Sequence, residues 1–166
     1  MPSDEELVAN TLVDGSHHFG VLIERYSDYL FGLGMRLTSG HKAQAEDLSQ
    51  QAFMKAFMYL KSFKPEKQFK HWLTGIAVNC FKDIVKKENQ YLSLPEHYEP
   101  FITPNHAENL DFFNLIKPLT HEEKTIFTLK YVYEYQTAEI AEFMNLNLGT
   151  TKSKINRALE KLKWKI

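Results

Sequence analysis

Cysteine occurs once in these 166 residues, at Cys80. A single thiol rules out an intramolecular disulfide framework and fits a reducing compartment. No apolar run approaches the length of a membrane span. The acidic start lacks the basic-then-apolar order of a signal peptide. A soluble, cytoplasmic protein with no membrane insertion is therefore expected. Metal chemistry has little to build on. His17, His18, His41, His71, His97, His106 and His121 are scattered, with no HExxH pattern and no His/Cys pair at ligand spacing. His17-His18 reads as an exposed pair at a helix start. There is no glycine-rich phosphate loop either, so no metal, cofactor or catalytic residue is expected. Charge of one sign is also missing: 20 basic against 21 acidic residues leave a net −1. Global charge thus announces no nucleic-acid partner.

What is present is local. Seven lysines stand against three acids between Lys61 and Gln90, and six basic residues against Glu160 alone between Gly149 and Ile166. Residues 1–30 carry six acids against Arg25. Two separate basic patches follow, each of which is either a nucleic-acid footprint or a solvated helix face.

Apolar residues recur at helical spacing through most of the chain. Phe19, Leu22, Ile23, Tyr26, Leu30, Leu33 and Leu37 predict a helix over about 17–38, broken by Ser39-Gly40. Leu48, Ala52, Phe53, Ala56, Phe57, Leu60 and Phe63 predict a second, ending before Pro65. Beyond a Lys-rich loop at 64–70, the series from Trp72 to Val85 predicts a third, with Cys80 on its apolar face. Three such helices suffice for a bundle. Residues 91–106 lose the period, contain Pro95, Pro100 and Pro104, and bear Glu96 and Glu99, which reads as an acidic tether. Leu110, Phe113, Ile116 and Leu119 restart the period until Pro118, and Ile126, Leu129, Tyr131 and Val132 suggest another helix. The fold class expected is all-α: two small helical domains, at 1–90 and 107–166, on a flexible linker at 91–106.

The end of the chain, EIAEFMNLNLGTTKSKINRALEKLKWKI, reads as a short helix (Thr137 to Met144), a tight turn and a basic second helix. Asn145 suits a left-handed turn residue and Asn147 a helix cap. The buried stripe of the second helix should be Ile155, Ala158, Leu159 and Leu162. Rotation by 100° per residue puts Thr150, Ser153 and Arg157 opposite. Lys154 and Lys161 flank one edge of the stripe and Asn156 approaches the other. Arg suits guanine, Asn adenine, and Lys the phosphates. Helix-turn-helix spacing alone is shared by many helical hairpins, so a DNA reader and a plain amphipathic helix both remain open.

Taken together, the segments resemble an extracytoplasmic-function (ECF) sigma factor of the sigma-70 family. AEDLSQQAF and FKHWLTGIAVNCFKDIVKK carry the likeness in the first half, and LTHEEKTIFTLKY, EIAEFM and LGTTKSKINRALEKL in the second. The resemblance implies a subunit that binds core RNA polymerase, recognises promoter DNA at two elements and helps open the duplex. It implies that Asp47, Gln50 and Phe53 dock on the polymerase. The helical wheel adds Gln51, Met54 and Met58 to that outward face, while Phe53 lies at the core boundary. It further implies that Lys70, His71, Trp72, Asn79 and Lys82 engage the downstream (minus-ten) element. Gly75, Asn79, Lys82 and Lys86 fall on one stripe, opposite Leu73, Ala77, Cys80 and Ile84, and Trp72 lies between the faces as either core or stacking platform. Lys152, Ser153, Asn156 and Arg157 match positions that read the upstream (minus-thirty-five) element. The acidic linker is either a phosphate mimic in the polymerase or a solvated tether. Gly75 and Val78 stand where the family often has basic residues, which implies a weaker grip on DNA there. An anti-sigma partner is plausible by the same analogy. The competing readings are a helix-turn-helix regulator that never joins the polymerase, an adaptor that binds only protein, and an enzyme, for which no residue pattern speaks.

Overall fold

The computed structural model describes residues 1–90 and 107–163, with side chains placed for 1–88 and 111–163. The acidic-linker reading, with Glu96 and Glu99, lies outside the described residues. Among the described residues the fold is all helix, without a strand. The order is α1 (Asp4–Asp14), α2 (His17–Leu37), α3 (Lys42–Met58), a 3-10 turn (Leu60–Ser62), α4 (Phe69–Gln90), α5 (Ala107–Ile116), α6 (His121–Tyr131), α7 (Thr137–Met144) and α8 (Leu148–Lys163).

Helix α1 is an element that the apolar period did not reveal, because only Leu7, Val8 and Thr11 of it are buried. Its start is nevertheless written locally. The Ser3 hydroxyl accepts from the Glu6 amide at 3.1 Å and the Ser3 amide donates to the Glu6 carboxylate at 3.0 Å. This reciprocal capping satisfies two of the orphan donors of the first turn. Asp4 then anchors α1 to α2, accepting from Arg25 at 2.6 Å and from the Tyr26 hydroxyl.

Helices α2, α3 and α4 form the expected bundle. Leu22, Leu33, Ala45, Ala52, Ala56, Leu73, Val78 and Cys80 are all essentially inaccessible. Gly34 lets α2 and α3 touch: a Cβ there would lie 3.2 Å from the Ala45 backbone. Phe63, Phe69 and Trp72 close the end of the bundle with ring centroids 5.3–5.7 Å apart. Trp72 is thus held in an aromatic cluster while remaining half-buried. Val78 is 0% exposed. A cation at that position would have to enter the core, so Val78 is not a charge missing from a DNA face.

The second domain packs α6 and α7 against α8, and Ile116, Leu119, Ala158 and Leu162 make a small core of their own. The larger core is continuous across both domains, running from Leu22 and Leu73 through Ile126, Leu129, Ile140 and Phe143 to Ile155. Two helical domains were legible in the sequence; their close packing was not.

Candidate nucleic-acid interface

The reading helix is built as its sequence demands. Gln136 and Glu139 start α7, the Gln136 amide donating to Glu139 at 3.1 Å. Asn145 ends it at φ 54° and ψ 45°, the left-handed conformation that Asn tolerates. The Asn147 side chain then accepts from the Thr150 amide at 2.7 Å and caps α8. Thr151, Ile155, Ala158 and Leu162 are buried, whereas Leu159 is 36% exposed. Leu159 is therefore not in the stripe: the inward row runs 151, 155, 158, 162, and the next residue turns 100° away.

Lys152, Ser153, Asn156 and Arg157 are exposed together on α8, with Thr150 half-buried at their edge. Lys154 differs. Its ammonium lies 3.1 Å from Glu122, and Lys161 donates to both oxygens of Glu123 at 2.8 Å. These two lysines tie α8 to α6. Glu123 is the member that sequence reasoning missed. Burial pushes its carboxyl up, but hydrogen bonds from Lys161 and the Thr120 amide outweigh that and hold it below the ordinary range.

On α3, Asp47, Gln50 and Met54 are exposed and Gln51 half-buried, its amide donating to Asp47 at 2.7 Å. Met54 and Met58 are 59% and 65% exposed. Phe53 is only 9% exposed and packs inward, yet its edge lines an apolar groove of about 500 Å³ with Phe19, Ile23, Gln50 and Met54. Uncovered methionines beside polar groups make an adaptable surface for a protein partner.

The stripe on α4 is where expectation and structure part. Lys70, Asn79 and Lys86 are exposed, Lys70 with its ammonium 4.5 Å above the Tyr29 ring. His71 and Lys82 are half-buried against the second domain. The His71 ring lies 4.5 Å from that of Phe143 and 5.7 Å from that of Tyr135. Lys82 donates to the Met144 carbonyl at 2.7 Å. Burial pushes the Lys82 ammonium pKa down. Tyr133, Tyr135 and Phe143, which carry this contact, come from a turn and a short helix with no charge or spacing pattern to mark them.

Asp14, His17 and His18 bring their ligand atoms within 4.8 Å of one another at the joint between α1 and α2. His18 already bonds Asp14 at 3.3 Å, and Asp14 and His17 are solvated. The pair was expected to be exposed; His17 is, whereas His18 is half-buried against Asp14.

A capped helix-turn-helix with an exposed Ser/Asn/Arg edge, joined to a helical bundle with a lysine-bearing helix and an apolar outer groove, defines a DNA-binding transcription protein. Comparisons with known proteins narrow the class. The model for Sigma-70 region 2 matches residues 22–91, and that for Sigma-70 region 4 matches 111–162. The chain is 27% identical to the ECF RNA polymerase sigma factor SigW of Bacillus subtilis, over 87% of each chain. It is 29% identical to the ECF RNA polymerase sigma-E factor of Haemophilus influenzae, over 99% of this chain and 95% of that one. The fold matches CnrH, solved in complex with the cytosolic domain of CnrY, at a TM-score of 0.68 with 21% identity over 97% of this chain and 95% of that one. It also matches the sigma factor RpoE of Bartonella quintana, solved with the anti-sigma factor NepR, at 0.68 with 23% identity over 87% and 94%. The chain belongs to the sigma-70 family, in its ECF branch.

Proposed function

We infer that this protein is an ECF sigma factor that binds core RNA polymerase and directs promoter-specific transcription initiation. The observation that carries this is the succession of the two sigma regions on one chain, each presenting a separate outward face. Residues 1–90 form the domain that docks on the polymerase and takes the downstream element. Residues 91–106 tether it to residues 107–166, which read the upstream element. The protein works in the cytoplasm, and no described helix is long and apolar enough to cross a membrane. It supplies recognition and no chemistry of its own.

The roles follow the faces. Asp47, Gln50, Gln51 and Met54, with the edge of Phe53, hold the polymerase. Ser153, Asn156 and Arg157 read base edges in the major groove, while Thr150 and Lys152 fix the register on phosphates. Lys70, His71, Asn79, Lys82 and Lys86 line the path of the opened strand, His71 and Lys82 being half-buried against the second domain. An anti-sigma factor is a further partner, supported by the similar fold from Bartonella quintana having been solved with one.

Run-off transcription with purified core polymerase and fragmented genomic DNA tests the reading. Discrete new starts that depend on this protein are expected, and their alignment yields both promoter elements. Binding to duplex DNA without new starts would instead identify a regulator that acts apart from the polymerase.

A further inference from the structure

The joint between α1 and α2 gathers three side chains with the chemistry of metal ligands. Among the described residues, Asp14, His17 and His18 are the one trio of His, Cys, Asp or Glu whose ligand atoms converge, all within 4.8 Å of one another. The two histidines form no metal motif in sequence, and Asp14 joins them only through the turn at Gly15-Ser16.

That turn is built rigidly. Gly15 adopts φ 117°, in a region that only glycine enters without strain. Its amide closes on the Thr11 carbonyl at 3.3 Å, and the Phe19 amide donates to the Ser16 carbonyl at 3.0 Å as α2 begins. At the far end of this helical hairpin, Asp4 holds Arg25 and Tyr26. The backbone that carries the three ligands is therefore fixed from both ends. His17 is the first residue of α2, and its ring centroid lies 4.0 Å from that of His18, so two sequence neighbours face one spot.

The spacing suits an ion. His18 Nε2 and Asp14 Oδ2 stand 3.3 Å apart. In a tetrahedral site with bonds of about 2.1 Å, neighbouring donors lie about 3.4 Å apart. Two of the three ligand atoms thus already hold the separation that a shared ion requires, and rotation of the solvated His17 ring brings in the third. The local charge agrees. Residues 1–30 carry six acids against Arg25, and Arg25 is engaged by Asp4. The positive end of α2 opposes a cation with a partial charge only, which the full charge of Asp14 outweighs.

We propose that Asp14, His17 and His18 form a site for a divalent late first-row transition ion (Zn²⁺, Ni²⁺ or Cu²⁺), with water completing the coordination. Two imidazoles and a carboxylate suit these ions, whereas Mg²⁺ and Ca²⁺ are held by oxygen ligands. The bound ion cross-links the end of α1 to the start of α2. Ser16, between the ligands, lines the same apolar groove as Phe19 and Gln50, so the ion stands at the rim of the surface assigned above to the polymerase.

The test uses the full chain, prepared without an affinity tag, stripped with a chelator and titrated with Zn²⁺ by calorimetry. One ion per chain should bind, with Mg²⁺ in large excess failing to displace it. His17→Ala, His18→Ala and Asp14→Asn should each weaken binding by roughly tenfold or more. Unaltered affinity in both histidine variants, which keep every other histidine, would place the ion elsewhere and overturn the site. Cu²⁺ reports the ligands directly: electron paramagnetic resonance should show two nitrogen donors in wild type and one in either histidine variant. A single nitrogen in wild type would overturn the shared site. Hydrogen exchange reads the cross-link, since saturating Zn²⁺ should slow the amides from Thr11 to Asp14 in wild type but not in Asp14→Asn. Equal slowing in that variant would show that the ion does not bridge the two helices.

Discussion

Glu123 is the hinge pin of the reading helix, and its replacement can be worked through in numbers. Its carboxylate accepts from the Thr120 amide at 3.2 Å, closing the cap of α6, and from Lys161 of α8 at 2.8 Å through both oxygens. Loss of a capping interaction costs about 1 kcal/mol. The Lys161 side chain is 41% exposed, so solvent screening limits the ion pair to about 0.2–1 kcal/mol. Glu123→Ala should therefore destabilise the second domain by about 1–2 kcal/mol. Glu123→Gln keeps an acceptor for Thr120 and should lose only the charged share, under about 1 kcal/mol. Hydrogen exchange of α6 and α8 amides in the full chain reads these losses locally. A double-mutant cycle with Lys161→Gln isolates the pair. The pH dependence follows from sign. The folded carboxyl is held below its ordinary value of 4.5, so its contribution is fully present above that value and is lost as pH falls through the lower, folded one. A loss for Glu123→Gln as large as for Glu123→Ala, unaffected by salt and with no acid sensitivity, would refute this division between cap and charge.

Other outcomes follow from the same geometry. Arg157→Ala should weaken binding to the upstream element by about 1–3 kcal/mol and relax specificity at one base pair, read by competition with single-substituted duplexes. Lys152→Ala should lower the salt slope of duplex binding by about one, whereas Lys154→Ala, whose cation is committed to Glu122, should change it less. Asp47→Ala with Gln50→Ala should reduce pull-down of core polymerase while the circular dichroism spectrum is unchanged, since both side chains are exposed. Asn145→Gly should leave stability nearly unaltered, and Asn145→Ala should cost about 1 kcal/mol in urea unfolding, because the backbone there is left-handed.

Much of this architecture was legible because it is locally encoded. The period of three to four apolar residues located α2, α3 and α4, and the turn from Asn145 to Asn147 was readable from the chemistry of asparagine. Helix α1 escaped because it buries one short row, although Ser3 and Glu6 spelled out its cap. Lys154 and Lys161 passed for phosphate-facing cations because a helical wheel shows which way a side chain points, not which carboxylate waits on another helix. Val78 was taken for a lost surface charge because it stands where the resembled family often has a basic residue, and only the packed bundle shows that position buried. The interface between domains was the least legible of all. Tyr29, Tyr133, Tyr135 and Phe143 follow no spacing that pairs them, since they come together from elements more than a hundred residues apart at the extreme.

The packing of the two domains leaves some faces more open than others. Asp47, Gln50 and Met54 on α3 and Ser153, Asn156 and Arg157 on α8 are exposed, while His71 and Lys82 on α4 are half-buried against the second domain. If α3 meets a protein partner and α8 a duplex, as proposed, both can be engaged at once while the two domains stay packed.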